Sequence, residues 1–268
     1  MIIIGEKING AIPGVKTAIE RRDERAIIDL AIRQTEAGAH YLDVCAGTAP
    51  EVEYEALRWM IDVVQDAVET PLCIDSPDVG TIVKVLKYVK REGIVNSVSD
   101  EGEECDVLFP LLKGTGWQVI AQTMDEDGIP ESSGERFAIT ERIIDKAAKY
   151  DIMPDRVHVD PLVAAISADN QSVLKFIEST AAIKDAYPAV KITAAISNIS
   201  FGMPLRKVLN QHFYALAVYA GLDSAVLDPC DSGLMTSILA VEALLGRDRH
   251  CRGFTNYYRK TIAERAGN

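Results

Sequence analysis

The stretch PLCIDSPD, Pro71 to Asp78, decides how this chain is read. Leu72, Cys73 and Ile74 form a short apolar run after a proline, which is the signature of a buried strand. Asp75 follows where such a strand leaves the core. A carboxylate there is costly unless something pairs with it. One acidic strand end means little, but the arrangement recurs along the chain, and the recurrence locates both the fold and the chemistry.

Outward from that stretch, strands alternate with helices. Ile2 to Gly5 opens the chain as an apolar run, and a helix capped by Asp23 follows, with Ala26, Ile27, Leu30 and Ala31 at helical spacing and Gly38 as its stop. HYLDV is the second strand. Residues 51–68 are helical, LCID is the third strand, residues 81–90 are helical, and IVNS is the fourth strand. EECDVLFPLLKGTG reads as a helix that Pro110 kinks or delays. WQVIAQT, VHVD, ITAAIS and SAVLD supply strands five to eight. They alternate with helices over residues 135–150, 170–186, 205–220 and 231–245, the last stopped by Gly246. A polar loop, Asp125 to Gly134, follows strand five. Eight strands apolar on both faces, each followed by a helix, predict an α/β fold: a single-domain (β/α)₈ TIM barrel over residues 1–268. The alternative, an open doubly wound sheet, normally carries a glycine-rich phosphate loop, and neither G-x-G-x-x-G nor G-x-x-x-x-G-K-[ST] occurs.

Composition narrows the function classes. The chain has 268 residues, enough for one barrel, and 48% are hydrophobic, enough for a large core. Order is expected up to Glu264. Net charge is −12 and basic residues do not cluster, which argues against nucleic acid. An anionic ligand must therefore meet a local basic group. The five cysteines are odd in number and irregularly spaced, and the four histidines are scattered, so neither a disulfide framework nor a metal site is expected. MIIIGEKI lacks the features of a signal peptide, and no apolar run reaches membrane-spanning length. The expectation is a soluble cytoplasmic protein.

Barrel enzymes do their chemistry at the C-terminal ends of the strands. Those ends carry Glu6 and Asn9, Asp43, Asp75, Asn96, Gln122, Asp160, Asn198 and Asp228. Some acidic residues in such loops only cap helices, and Asp78, Asp100 and Asp231 are assigned that role here. Asp43 serves equally well as a loop anchor. Asp75, Asn96 and Asp160 stand directly on apolar strand ends, the positions where ligand contact best explains the residue type. A ring of carboxylates and carboxamides suits a flat heterocycle rich in N–H donors, because a carboxylate accepts two parallel bonds from an aminopyrimidinone edge. A pterin presents that edge; guanine or a sugar remains open on this ground.

In order, IIIGEKING, AGAHYLDVCAG, LCIDS, IVNSVS, VHVDPL, ISNIS and GLDSAVLDPCD run almost the length of the chain. Together they resemble the landmarks of pterin-binding (β/α)₈ methyltransferases, in particular the methyltetrahydrofolate:corrinoid protein methyltransferase family. The resemblance implies transfer of a methyl group between N5 of tetrahydrofolate and the cobalt of a corrinoid. It implies that Asp75, Asn96 and Asp160 hold the pterin edge, with Glu6 and Asp43 in the same site. It places Asn198 at N5, Ser197 beside it, and Arg206 near the anionic glutamate tail; a solvated helix start is the other reading of Arg206. Asn198 then stabilises a protonated N5 while cobalt supplies the nucleophile, so no Ser, Cys or His nucleophile is required.

No Asp-x-His-x-x-Gly cobalamin motif is present, so the resemblance implies that the corrinoid (cobalamin) arrives on a separate protein that docks over the barrel mouth, with the loop Asp125 to Gly134 as a contact. Tetrahydrofolate or 5-methyltetrahydrofolate enters as substrate, and no intrinsic metal is needed. The resemblance also implies a homodimer, and a place in methylotrophic demethylation or an acetyl-CoA pathway. Two departures from the family pattern are Cys45, where an Asn is usual, and the FGMPLRK loop after ISNIS. The alternatives are a non-catalytic pterin-binding module and dihydropteroate synthase, whose Ser-Arg-Lys motif is not seen.

Overall fold

The computed structural model describes residues 1–266. Eight parallel strands form one sheet: β1 (Ile2–Asn9), β2 (Tyr41–Cys45), β3 (Leu72–Asp75), β4 (Ile94–Val98), β5 (Gln118–Gln122), β6 (Val157–Asp160), β7 (Lys191–Ile192) and β8 (Ser224–Leu227). Each strand pairs with its successor from β1 to β7, and β1 also pairs with β8, with Ile2 opposite Ser224. The remaining seam joins β7 to β8 more sparsely. Ala195 bridges to Val226, Val226 N–H donates to the Ala194 carbonyl at 2.9 Å, and the Asp223 carboxylate accepts from Ile192 N–H at 2.8 Å. The result is the barrel that the strand–helix alternation predicts.

Helices surround it: α1 (Pro13–Arg21), α2 (Glu24–Glu36), α3 (Pro50–Ala67), α4 (Val79–Leu86), α5 (Glu104–Leu112), α6 (Ser133–Lys149), α7 (Ser172–Ala186), α8 (Arg206–Ala220), α9 (Ser232–Leu244) and α10 (Arg252–Ala266). α1 and α10 have no counterpart in the sequence reading. α1 starts on Pro13, whose fixed φ suits a first helical position, but no side chain caps it. α10 runs past Glu264, where order was expected to end, and the final two residues lie outside those described. Asp23, Asp78 and Asp231 cap α2, α4 and α9 as expected. Asp100 does not cap. Glu103 occupies the N-cap of α5, and Asp100 pairs with Arg142 and, at 2.9 Å, with Lys146 of α6. Pro110 lies inside α5, two residues before its end.

The expected strand Ile192 to Ser197 is cut short. The chain turns into a 3-10 helix over Ile196–Ser200. Serine and asparagine side chains offer local bonds that compete with a strand ladder, and here Ser200 Oγ donates to the Ser197 carbonyl at 3.2 Å. β1 has the opposite fate and extends to Asn9, because Gln34 of α2 is buried beneath its bulge and accepts Lys7 N–H at 2.9 Å.

The main core lies between sheet and helices, and a second, smaller one fills the barrel. The barrel interior has three levels. At the N-terminal end, buried His158 bonds Ser224 at 2.8 Å and Gln118 at 2.9 Å, and Gln118 donates to Tyr41 Oη at 2.8 Å. Burial, with help from Lys191, holds the His158 imidazole down at about 3, so the ring is neutral. Above it lies an apolar plug of Ile4, Cys73, Ile94 and Ile120. Because strand side chains alternate, the residues two further along each strand emerge at the mouth.

Candidate active site

Those mouth residues converge. One cavity of about 500 Å³ is lined by Glu6, Asp43, Asp75, Asn96, Asp160, Ser197, Asn198 and Arg206. Every residue that the resemblance assigns to the site therefore reaches the same space, whereas Asp228, the last of the strand-end ring, lines a small neighbouring pocket with Glu6 and Ser197. Strand register explains why: Cys45 lies opposite Asp75, Asp75 opposite Asn96, and Gln122 opposite Asp160.

The carboxyls are held in a low-dielectric environment that disfavours their charge. Asp43 is almost wholly buried and accepts a bond from Asn96 Nδ2 at 3.2 Å. Burial, then the neighbouring Asp75, raises it well above the usual carboxylate range. Burial also lifts Asp75, to about 6, against the lowering effect of bonds from Cys45 and Asp43. Asp160 is lifted by burial to about 7, although Leu162 N–H donates to Oδ1 at 2.8 Å. Glu6 rises through burial as well, and Ser197 Oγ donates to it at 3.0 Å. At neutral pH Asp75 and Asp160 divide between protonated and ionised forms, ready to accept N–H donors or to give a proton.

Residues behind the cavity fix it. Ser76 Oγ donates to buried Glu53 of α3 at 2.8 Å, tying down the exit of β3. Arg136 of α6, only 3% exposed, donates from Nη1 to the Leu162 carbonyl at 2.9 Å and so secures the turn that follows Asp160. Arg206, first in α8, donates from Nη2 to the Ser197 carbonyl at 2.9 Å and from Nε to Ser200 Oγ at 3.0 Å. It brackets Asn198, whose carboxamide is exposed to the cavity and bonds no other side chain among the described residues. Glu53 and Arg136 gave no signal in the sequence, since they lie on helices. Lys7 and Thr193 also line the cavity, and Lys7 pairs with Asp228 at 3.4 Å. Lys7 could have been found as the basic neighbour of a strand-end glutamate.

Gly10, just beyond β1, permits the close approach of two loops: a Cβ there would lie 1.8 Å from the Ala46 carbonyl oxygen. Cys45, the first departure from the family pattern, is buried beside Asp75, and burial raises its thiol, so it acts as a neutral donor. Phe201, in the second departure, lines the cavity and is 71% exposed. Among the described residues no three His, Cys, Asp or Glu side chains are grouped to hold a metal ion. No helix among them is long and apolar enough to cross a membrane.

A sequence family described as pterin binding enzymes matches residues 15–228. The chain belongs to the pterin binding enzyme family. It is also 50% identical over 262 residues to a methylcorrinoid:tetrahydrofolate methyltransferase of Eubacterium limosum, covering 97% of each protein. A methionine synthase of Mycobacterium tuberculosis is 27% identical over 240 residues, which are 85% of this chain and 20% of that much longer protein. Among solved structures, dihydropteroate synthase from Xanthomonas albilineans with 7,8-dihydropteroate superposes with a TM-score of 0.67 at 16% identity, covering 91% of this chain and 92% of that one. The enzyme from Coxiella burnetii with pteroic acid gives 0.67 at 14% identity, covering 92% and 94%. At such identities the two synthases speak for the fold alone.

Proposed function

We propose that this member of the pterin binding family is a methyltransferase that moves a methyl group between the cobalt of a corrinoid on a separate protein and N5 of tetrahydrofolate. The observation that carries the reading is the single cavity in which Asp75, Asn96 and Asp160 converge with Asn198. The name of the half-identical relative supports methylcorrinoid as donor.

The pterin's N–H edge lies against Asp75, Asn96 and Asp160. Carboxyls raised by burial ionise as the donors arrive, so binding releases protons. In transfer to tetrahydrofolate the N5 lone pair forms the new N–C bond as the cobalt–carbon bond breaks, and that electron pair stays on cobalt. N5 bears positive charge until its proton leaves. The Asn198 carboxamide oxygen accepts from N5–H, and in the reverse direction the same contact stabilises the protonated leaving nitrogen. Ser197 and Arg206 hold the turn that presents it. Only contacts that strengthen at the transition state raise the rate; the edge contacts set affinity.

The corrinoid partner covers the rim, touching the Asp125 to Gly134 loop and Phe201. The reading extends to the whole chain as one functional domain, to a homodimer by family resemblance, and to the cytoplasm, where five free cysteines are at home. The test is methylation of cob(I)alamin by 5-methyltetrahydrofolate, followed by the loss of the cob(I)alamin absorbance. No transfer to free cob(I)alamin or to a purified corrinoid protein would reject the reading.

A further inference from the structure

A second cavity, of about 390 Å³, opens between α1 and α2 and shares Lys7 and Ile12 with the barrel mouth. Val15 and Ala18 of α1 and Leu30 of α2 give it apolar walls. Lys7 stands at its inner end, and Arg33, near the end of α2, also lines it. Arg33 is in no ion pair among the described residues, and its contact is the Cys230 thiol. Asp29 also lines the groove, and Lys7 is paired with Asp228 at 3.4 Å, so Arg33 is the groove cation with no carboxylate partner among the described residues. The surroundings favour an anion more than most of this protein does. The first 34 residues hold six Lys or Arg and five Asp or Glu, so the rest of the chain carries more than the whole net charge of −12.

We infer that this groove takes the aminobenzoyl-glutamate tail of the folate, with the ring between α1 and α2 and the carboxylates at Lys7 and Arg33. The inference rests on the folate reading of the barrel mouth. A pterin held by its edge deep in the barrel leaves the rest of the molecule to exit at the rim. Continuity through Lys7 and Ile12 gives that exit a direction, and the slit matches a flat ring followed by anionic groups. Its volume lies in the roughly 300–1,000 Å³ range of ligand clefts. The other cation at the rim, Arg206, is already engaged with Ser197 and Ser200.

Gly14 supplies a steric probe. It lines the groove, and a Cβ there would meet nothing within 4 Å. Gly14→Phe therefore places a ring in open space without disturbing packed protein. Calorimetry on the full chain compares tetrahydrofolate with 6-methyltetrahydropterin, which has no tail. Wild type binds the folate more tightly. Arg33→Glu and Gly14→Phe each weaken folate binding about tenfold, the scale of one charged contact, and leave the tail-less pterin unchanged. Arg25→Glu, an equal charge change on the exposed face of α2, alters neither. The inference is overturned if wild type gains nothing from the tail, if the two groove variants lose both ligands equally or neither, or if Arg206→Met erases the preference for folate while Arg33→Glu keeps it. Wild type binding neither ligand would instead overturn the pterin reading and this inference with it.

Discussion

Replacing Asp160 by Asn separates what the cavity costs the fold from what it does for the ligand. Asn keeps an acceptor for Leu162 N–H, 2.8 Å from Oδ1 in the native chain, and removes the titrating group. Burial lifts Asp160 from the ordinary 3.8 to about 7. A carboxyl raised on folding binds its proton more tightly in the native state, so its effect on stability worsens as pH climbs from the unfolded value towards the native one. The penalty is about 4 kcal/mol at pH 8 and about 1.6 kcal/mol at pH 5. Asp160→Asn should therefore gain about 2.5 kcal/mol relative to wild type between pH 5 and pH 8. For a chain of this length that is roughly 5–10 °C in melting temperature. Urea unfolding of both proteins at the two pH values, without folate, gives the double difference directly, since all other groups cancel. Adding tetrahydrofolate at pH 8 should then stabilise wild type and leave the variant unmoved. A stability difference that does not change with pH would refute the claim that burial controls this carboxyl.

Asn198→Ala should slow single-turnover methyl transfer to cob(I)alamin about 100-fold while folate affinity, from equilibrium titration, changes little; equal losses in both would remove the role at N5. Arg206→Met frees the Ile196–Ser200 turn and should lower the transfer rate about tenfold with a smaller effect on affinity, partly restored by Arg206→Lys, as rate measurements on both would tell. Folate affinity itself should weaken towards about tenfold per pH unit once the pH drops below about 7, and more steeply below about 6, because Asp160 and then Asp75 must give up protons to bind the pterin edge; an affinity flat from pH 8 to pH 5 would contradict this. His158→Leu leaves buried Ser224 Oγ without its close partner, while Gln118 Oε1 keeps the Lys191 ammonium at 3.1 Å, and should cost about 1–2 kcal/mol in urea unfolding, with the transfer rate unchanged because the site lies beyond the apolar plug.

Much of the site was legible because strand ends in a barrel are read straight off alternation. Asp75 and Asn96 stand at the last inward-facing positions of runs whose other residues are apolar, and Asp160 stands in the same place two residues beyond His158, so core packing does not explain them. Asn198 was legible by motif and not by periodicity: it sits on a 3-10 turn, where a strand was expected. The missing pieces are those whose position depends on tertiary packing. Arg136 looks like an ordinary helical arginine until α6 packs against the turn after β6. Asp100 looks like a cap until two basic residues of α6 reach it. α1 was invisible because a nine-residue helix with no capping side chain resembles a proline-bearing loop, yet it makes one wall of the groove beside the mouth.

The plug of Ile4, Cys73, Ile94 and Ile120 makes the barrel a vessel open at one end. The plug separates the polar floor around His158 from the mouth. On the proposed function, a folate with its tail in the groove and a partner seated on the rim then close off the mouth from bulk solvent. From that moment the protons available to N5 are those admitted beforehand; with Asp75 and Asp160 ionised against the pterin edge, Glu6, whose carboxyl burial raises, can still hold one. Transfer within the docked complex should therefore respond to the acidity at which the complex was assembled, and only slowly to a later change in the medium.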